Sequence, residues 1–93
     1  MDVQVRDDPD RSRFEILVDG EPAGLAAYRL RDGRVVVTHS EIDPAYRGRG
    51  LAGQLAGQTL DLIRARGQKV VPLCPYFATY VAEHPEYDHI VVE

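Results

Sequence analysis

The stretch Ala45–Leu55, AYRGRGLAGQL, carries two overlapping glycine patterns. Residues 48–53, GRGLAG, match the six-residue pattern of dinucleotide-binding proteins letter for letter. Residues 47–52, RGRGLA, fit a different phosphate-binding pattern. The dinucleotide reading needs a buried parallel strand directly before the glycines and an acid about 20 residues beyond them, to hold a ribose hydroxyl. Here Asp43-Pro44-Ala45-Tyr46 precedes the glycines, and the stretch at about that distance beyond, Val70-Val71-Pro72-Leu73-Cys74, holds no acid. A Walker loop fails as well, because no Lys-Ser or Lys-Thr follows.

A local reading remains. Residues without side chains let consecutive amides turn inward and approach an anion closely. A helix starting at about Gly50 adds unpaired N–H donors and the positive end of its dipole. That arrangement suits a pyrophosphate. The plainer alternative is a tight turn in which Gly48 and Gly50 only supply positive φ.

Working outward, the period changes at this stretch. Downstream, Leu51, Ala52, Leu55, Ala56, Thr59, Leu62 and Ile63 fall at helical spacing, with Gln54, Gln58, Asp61 and Arg64 mostly on the other side. Gly67 suits the position just past the last turn, and Arg64 and Arg66 are expected to interact with the dipole of that end. Lys69–Leu73 reads as a buried strand, with Pro72 near its end or at an unpaired edge position. A short helix is expected over Pro75–Glu83, stopped near His84 by Pro85. Ile90–Val92 is expected to add a last strand.

Upstream, Val3–Val5 reads as a short edge strand followed by the turn segment DDPDRS. Phe14, Ile16 and Val18 alternate as in a strand, and Asp19-Gly20 is a hairpin signal. Ala23–Leu30 returns, Asp32-Gly33 turns again, and the β-branched run Val35–Ile42 makes a further strand. The fold class is α+β: antiparallel N-terminal strands, then a strand-helix-strand-helix unit.

Ninety-three residues, 44% apolar and 28% charged, suit one soluble domain spanning 1–93. The charged start predicts no signal peptide, and no apolar run approaches the roughly 20 residues a membrane span needs. A single cysteine, Cys74, forms no internal disulfide and fits a reducing cytoplasm. A net charge of −4 argues against nucleic acid as the main partner. Asp2, Asp7, Asp8 and Asp10 crowd the N-terminus, while Arg47 and Arg49 sit around the glycines. A positive spot on an acidic chain is where a phosphorylated small ligand is expected. No His, Cys or acidic cluster has metal-ligand spacing.

Residues 39–87 resemble the GCN5-related N-acetyltransferase superfamily, whose R-x-x-G-x-A signature is matched by Arg47, Gly50 and Ala52. More narrowly, HSEIDPAYRGRGLAGQL followed by VPLCPYFATYVAEHPEY is similar to its small, truncated branch. The hairpins of the first half agree with that fold's opening strands. The resemblance implies a splayed central sheet, acetyl-coenzyme A as cosubstrate, and transfer of its acetyl group to a small-molecule or peptide amine. The strands carrying His39–Ile42 and Val70–Leu73 would part to admit the pantetheine arm. Backbone groups near Ile42 would pair with that arm, and the amides of Arg47, Gly48, Arg49, Gly50, Leu51 and Ala52 would hold the pyrophosphate. Full-size members place helices between their first two strands to shape the acceptor site, whereas Asp19-Gly20 joins those strands directly here. The acceptor would then meet an open surface, or a partner chain or second copy would complete the site.

Acetyl transfer to an amine needs a neutral nucleophile, a base for its proton and donors for the developing oxyanion. Cys74 ends a strand and Pro75 suits the first position of a helix, a setting that activates a thiol. Three roles stand for Cys74: an acetyl-cysteine intermediate, a lining residue while the amine attacks directly, or a buried structural cysteine. His39 is the candidate base, since imidazole exchanges protons near neutral pH and the narrower family carries a histidine here. Period two faces His39 with Val35 and Val37, and puts Glu41 on the same side to orient or replace it. In this superfamily a helix tyrosine often reprotonates the departing thiolate; Tyr80 is the candidate, ahead of Tyr76, against the alternative of aromatic packing on the sheet. His84 and His89 read as structural or surface residues. A coenzyme A-binding or protein-interaction module with little catalysis is the rival class, suggested by the missing acceptor helices.

Overall fold

The computed structural model describes residues 1–93. Its strands are β1 (Val3–Asp8), β2 (Arg13–Val18), β3 (Glu21–Arg31), β4 (Arg34–Ile42) and β5 (Lys69–Pro72), and its helices α1 (Leu51–Ala65) and α2 (Pro75–Glu83). They form a mixed five-stranded sheet in the order β1-β2-β3-β4-β5. β1 to β4 make the antiparallel meander that the two Asp-Gly turns call for. α1 then carries the chain over one face, so β5 returns parallel to β4.

Alternation decides which side chains meet the helices. Phe14, Ile16 and Val18 of β2, Ala26 and Tyr28 of β3, and Val35 and Val37 of β4 form one buried cluster with Leu51, Leu55, Ala56, Leu60 and Ile63 of α1 and Phe77 and Val81 of α2. Each fully buried aliphatic side chain contributes about 1.5–3 kcal/mol relative to exposure. Asp7 ties three elements around this core: it accepts from the Tyr28 hydroxyl at 2.7 Å and from Arg66 Nη1 at 2.7 Å. Arg64 donates to Asp61 at 3.0 Å, so both arginines at the end of α1 meet carboxylates where the sequence suggested the helix dipole alone. The opposite face of the sheet carries no helix. There Glu15 is buried beneath Arg6 and Arg13, which reach its two carboxylate oxygens at 3.1 and 2.8 Å.

Two expectations need correction. β1 runs on to Asp8 through the segment read as a turn, because Asp7 and Asp8 pair with Phe14 and Arg13; only Pro9–Arg11 turn, as a 3-10 helix. The last strand does not form either. Pro85–Ile90 winds into a 3-10 helix that buries Tyr87 and Ile90, leaving a single parallel bridge from Val91 to Val70.

Two irregularities position the site. Ala27 pairs with His39 and Tyr28 with Val37, so Thr38 is an extra residue on β4, a bulge. The second lies at the end of β5. Val37↔Pro72 is the last pair of the parallel ladder, and the amides of Leu73 and Cys74 both donate to Val37 O, at 3.0 and 2.9 Å. Pro72 stands at the strand end, where its missing N–H is harmless. β4 continues to Ile42 without β5 beside it, so the sheet splays.

Candidate functional site

The splay opens beside the glycine stretch. Asp43 accepts from the amide of Ala45 at 2.9 Å, turning Pro44–Tyr46 into a 3-10 helix that leads off the end of β4. Gly48 and Gly50 then take φ of +81° and +71°, with Gly50 capping α1. No turn, loop or cap hydrogen bond uses an amide from Gly48 to Gly53 as donor. A β-carbon at Gly48 or Gly50 would meet nothing within 4 Å, so space beside these amides is open. Arg49 lies over the Tyr46 ring at 5.4 Å from its centroid. Neither Arg47 nor Arg49 has a carboxylate partner. A run of free amides, a helix start and two unpaired guanidinium groups can hold an anion. Ile42 and Arg47 also border a cavity of about 450 Å³ with Arg13, Glu15 and Glu41.

Cys74 caps the start of α2 and is 3% exposed. Its Sγ lies 3.2 Å from Ser40 Oγ. Ser40 was not singled out by the sequence, because strict alternation puts it on the face away from Val37. The bulge at Thr38 reverses the alternation, so Ser40 pairs with Ala26 and Ile42 with Gly24, toward the helices and the thiol.

The same bulge corrects His39. It does not share a face with Val35 and Val37; it points to the helix-free face and is exposed. Glu41 does share its face, as expected, and its carboxylate lies 2.9 Å from His39 Nε2. Cys74 and His39 therefore address opposite sides of β4 at the splay.

Tyr80 packs between the helices. Its ring stacks on His84 at 3.8 Å, and His84 Nδ1 donates to Tyr80 O at 2.7 Å. The Tyr80 hydroxyl sits against α1, 2.7 Å from where a β-carbon on Gly57 would be. Burial, with smaller contributions from Glu86, Tyr76 and Asp61, pushes this phenol up and keeps it protonated. Tyr76 reaches the first turn of α1 instead, its hydroxyl 3.6 Å from a β-carbon built on Gly53, and is half-exposed. No helix is long and apolar enough to cross a membrane.

A family profile described as GCN5-related N-acetyl-transferase matches residues 13–90. The chain belongs to the GCN5-related N-acetyltransferase family. Among curated relatives of this family member, it is 34% identical to Protein NATD1 of Gallus gallus over 85 residues, 89% of this chain and 77% of that one. The Homo sapiens protein of the same name is 33% identical over 85 residues, 89% of this chain and 75% of that one. The sheet and helices superpose on the NMR structure of a GCN5-like protein from Staphylococcus aureus with a TM-score of 0.70 at 14% identity, covering 96% of this chain and 87% of that one. The acetyltransferase fold is thus present.

Proposed function

We propose that this chain binds acetyl-coenzyme A in the wedge between β4 and β5 and transfers the acetyl group to an amine. One observation carries the reading: pairing stops at Val37↔Pro72, and the β4 edge so freed leads directly to the unpaired amides of residues 48–53. Backbone groups up to Ile42 on that edge are available to the pantetheine arm. Arg47, Gly48, Arg49, Gly50, Leu51 and Ala52 hold the pyrophosphate. The acetyl thioester then lies toward Cys74 and Ser40, and the amine arrives from the helix-free face past His39.

In this scheme the Cys74 thiol releases its proton to solvent, its sulfur attacks the acetyl carbon, and the carbon–sulfur bond to coenzyme A breaks. The coenzyme A sulfur leaves with the electron pair and takes a proton from a phenol on α2. Tyr80 is the candidate for that role ahead of Tyr76, whose hydroxyl reaches the first turn of α1, and the phenol regains its proton from solvent. The amine next attacks acetyl-Cys74, expelling the cysteine sulfur, and its surplus proton passes to His39, held by Glu41. Ser40 donates to the Cys74 sulfur while it is anionic.

The test is intact-protein mass after rapid mixing with acetyl-coenzyme A. An acetyl adduct on the wild-type chain, absent in Cys74→Ala, is expected. Full-rate transfer to an amine by Cys74→Ala would leave Cys74 as a lining residue and direct attack as the route. No coenzyme A release across a panel of amines, polyamines and peptides, with binding intact, would make the chain a binding module.

A further inference from the structure

The helix-free face carries a feature the acetyl chemistry does not use. Apart from Arg34, every arginine outside two groups has a carboxylate side chain within 4.0 Å: Arg6 and Arg13 on Glu15, Arg11 on Asp8, Arg64 on Asp61, Arg66 on Asp7. One unpaired group is Arg47 and Arg49, beside the glycines. The other is Arg29 and Arg31, which stand beside Arg34 and Lys69, whose hydrogen bonds go to main-chain oxygens rather than to an Asp or Glu side chain. Cross-strand register sets these on one face: Arg31 opposes Arg34 and Arg34 opposes Lys69, a row of cations over three strands, and Arg29 opposes Val36, which opposes Val71. Like charges directly opposed destabilise a sheet. This chain keeps such a row although its net charge is −4, so carboxylates were available to neutralise it.

Between the cations lies a depression of about 270 Å³, lined by Val36, Val71 and Leu73 with Arg29, Arg31, Arg34 and Glu93. Arg34 Nη1 already donates to the main-chain oxygen of Glu93 at 3.2 Å, and Lys69 Nζ to that of His89 at 2.9 Å. Leu73 is 58% exposed and directly precedes Cys74. The strip from His39 and Leu73 to the Arg31–Arg34–Lys69 row therefore begins at the mouth of the splay. An extended peptide of about five residues, at ~3.3 Å each, spans such a strip. Successive side chains of an extended peptide point opposite ways, suiting an apolar floor with a cationic border.

We infer that this strip is the docking surface of an acidic peptide acceptor, which lays its amine at His39 and its carboxylates on Arg29, Arg31 and Arg34. The inference rests on the acetyl-transfer reading for the direction of the amine; the docking itself does not need it. The acidic remainder of the surface repels such a peptide, so binding is local to the strip and weakens with salt.

Fluorescence anisotropy tests it without acetyl-coenzyme A. The probe is a C-terminally labelled hexapeptide of alternating glutamate and leucine, compared with its lysine–leucine counterpart and with a labelled single-stranded oligothymidylate. Binding of the glutamate peptide, weakened about tenfold or more in Arg31→Glu/Arg34→Glu, is expected. Arg29→Gln/Arg31→Gln should weaken it less, in step with charge. Unchanged binding in both variants, equal binding of the lysine peptide, tighter binding of the oligonucleotide, or no binding of the glutamate peptide would overturn the proposal. All the substituted side chains are exposed, and an unchanged melting curve verifies each fold. A melting shift with acetyl-coenzyme A, measured separately, reports on the wedge and is independent of the strip.

Discussion

Ser40 and Cys74 meet at 3.2 Å only because Thr38 bulges. Cys74 was legible in the sequence: a strand-like run ends at it, and Pro75 after it marks a helix start. Ser40 was not, since an extra residue on one strand leaves no trace in hydrophobic alternation when its neighbours are polar. The same slip misplaced His39. If Ser40 steadies the cysteine sulfur, Ser40→Ala should slow acetylation of Cys74 about tenfold, the worth of a hydrogen bond to a charged group, and Ser40→Thr should restore it. Equal rates in the three proteins would remove Ser40 from the reaction. Stability has its own residue-scale anchor. Tyr28→Phe deletes the hydroxyl's bond to Asp7 and should lower unfolding free energy by about 1.5 kcal/mol in urea titrations.

Among the elements, the seam between α1 and α2 is built on close approach. The Tyr80 ring is fixed by His84 on one side and neighbours Tyr87 at 6.3 Å on another, so it cannot easily yield to a β-carbon on Gly57. Gly57→Ala should therefore cost about 1–3 kcal/mol of stability, whereas the same change in an exposed stretch of helix would help. A rise in melting temperature would contradict the packing described for Tyr80. Gly50→Ala tests the loop differently. Its φ of +71° disfavours a β-carbon, at about 1 kcal/mol, and re-aiming the amides of residues 50–52 should weaken acetyl-coenzyme A binding more than it weakens the fold. Isothermal calorimetry beside a melting curve separates the two. α2 was legible at both ends because Pro75 and Pro85 bracket it, and α1 because its period is regular. The C-terminal strand was misread because Ile90, Val91 and Val92 have strand composition, while the 3-10 turn from Pro85 decides where they lie.

Over the whole molecule, titration follows buried polar groups: Tyr28 and Glu15 at the sheet, with Tyr80 and Tyr87 also raised by burial at the helices. Burial, reinforced by Asp7, raises Tyr28 to about 12. A phenol held neutral in the folded state contributes fully below its ordinary range near 10, and stability should decline from there toward pH 12. Glu15 works at the other limit. Burial alone would raise its carboxyl, but the hydrogen bonds and charges of Arg6 and Arg13 outweigh burial and lower it. Its contribution is present above the ordinary carboxylate range and is lost as pH falls below it. Glu15→Gln should flatten the acid side of a melting-temperature profile and leave the alkaline side unchanged. The sheet order followed from turn chemistry and period, since the Asp-Gly pairs set the meander and α1 forced the parallel return. The cationic row of Arg31, Arg34 and Lys69 did not follow, because residues so far apart in sequence become neighbours only through register.

The wedge itself is tested most directly by melting curves with acetyl-coenzyme A, coenzyme A and NAD added separately. A ligand bound only to the folded state, at 100 times its Kd, stabilises it by about 2.7 kcal/mol, roughly 10 °C or more for a domain this small. The expected result is that rise with both coenzyme A forms and none with NAD. No rise with either coenzyme A form at millimolar concentration would contradict the account and return RGRGLA to a turn before a helix.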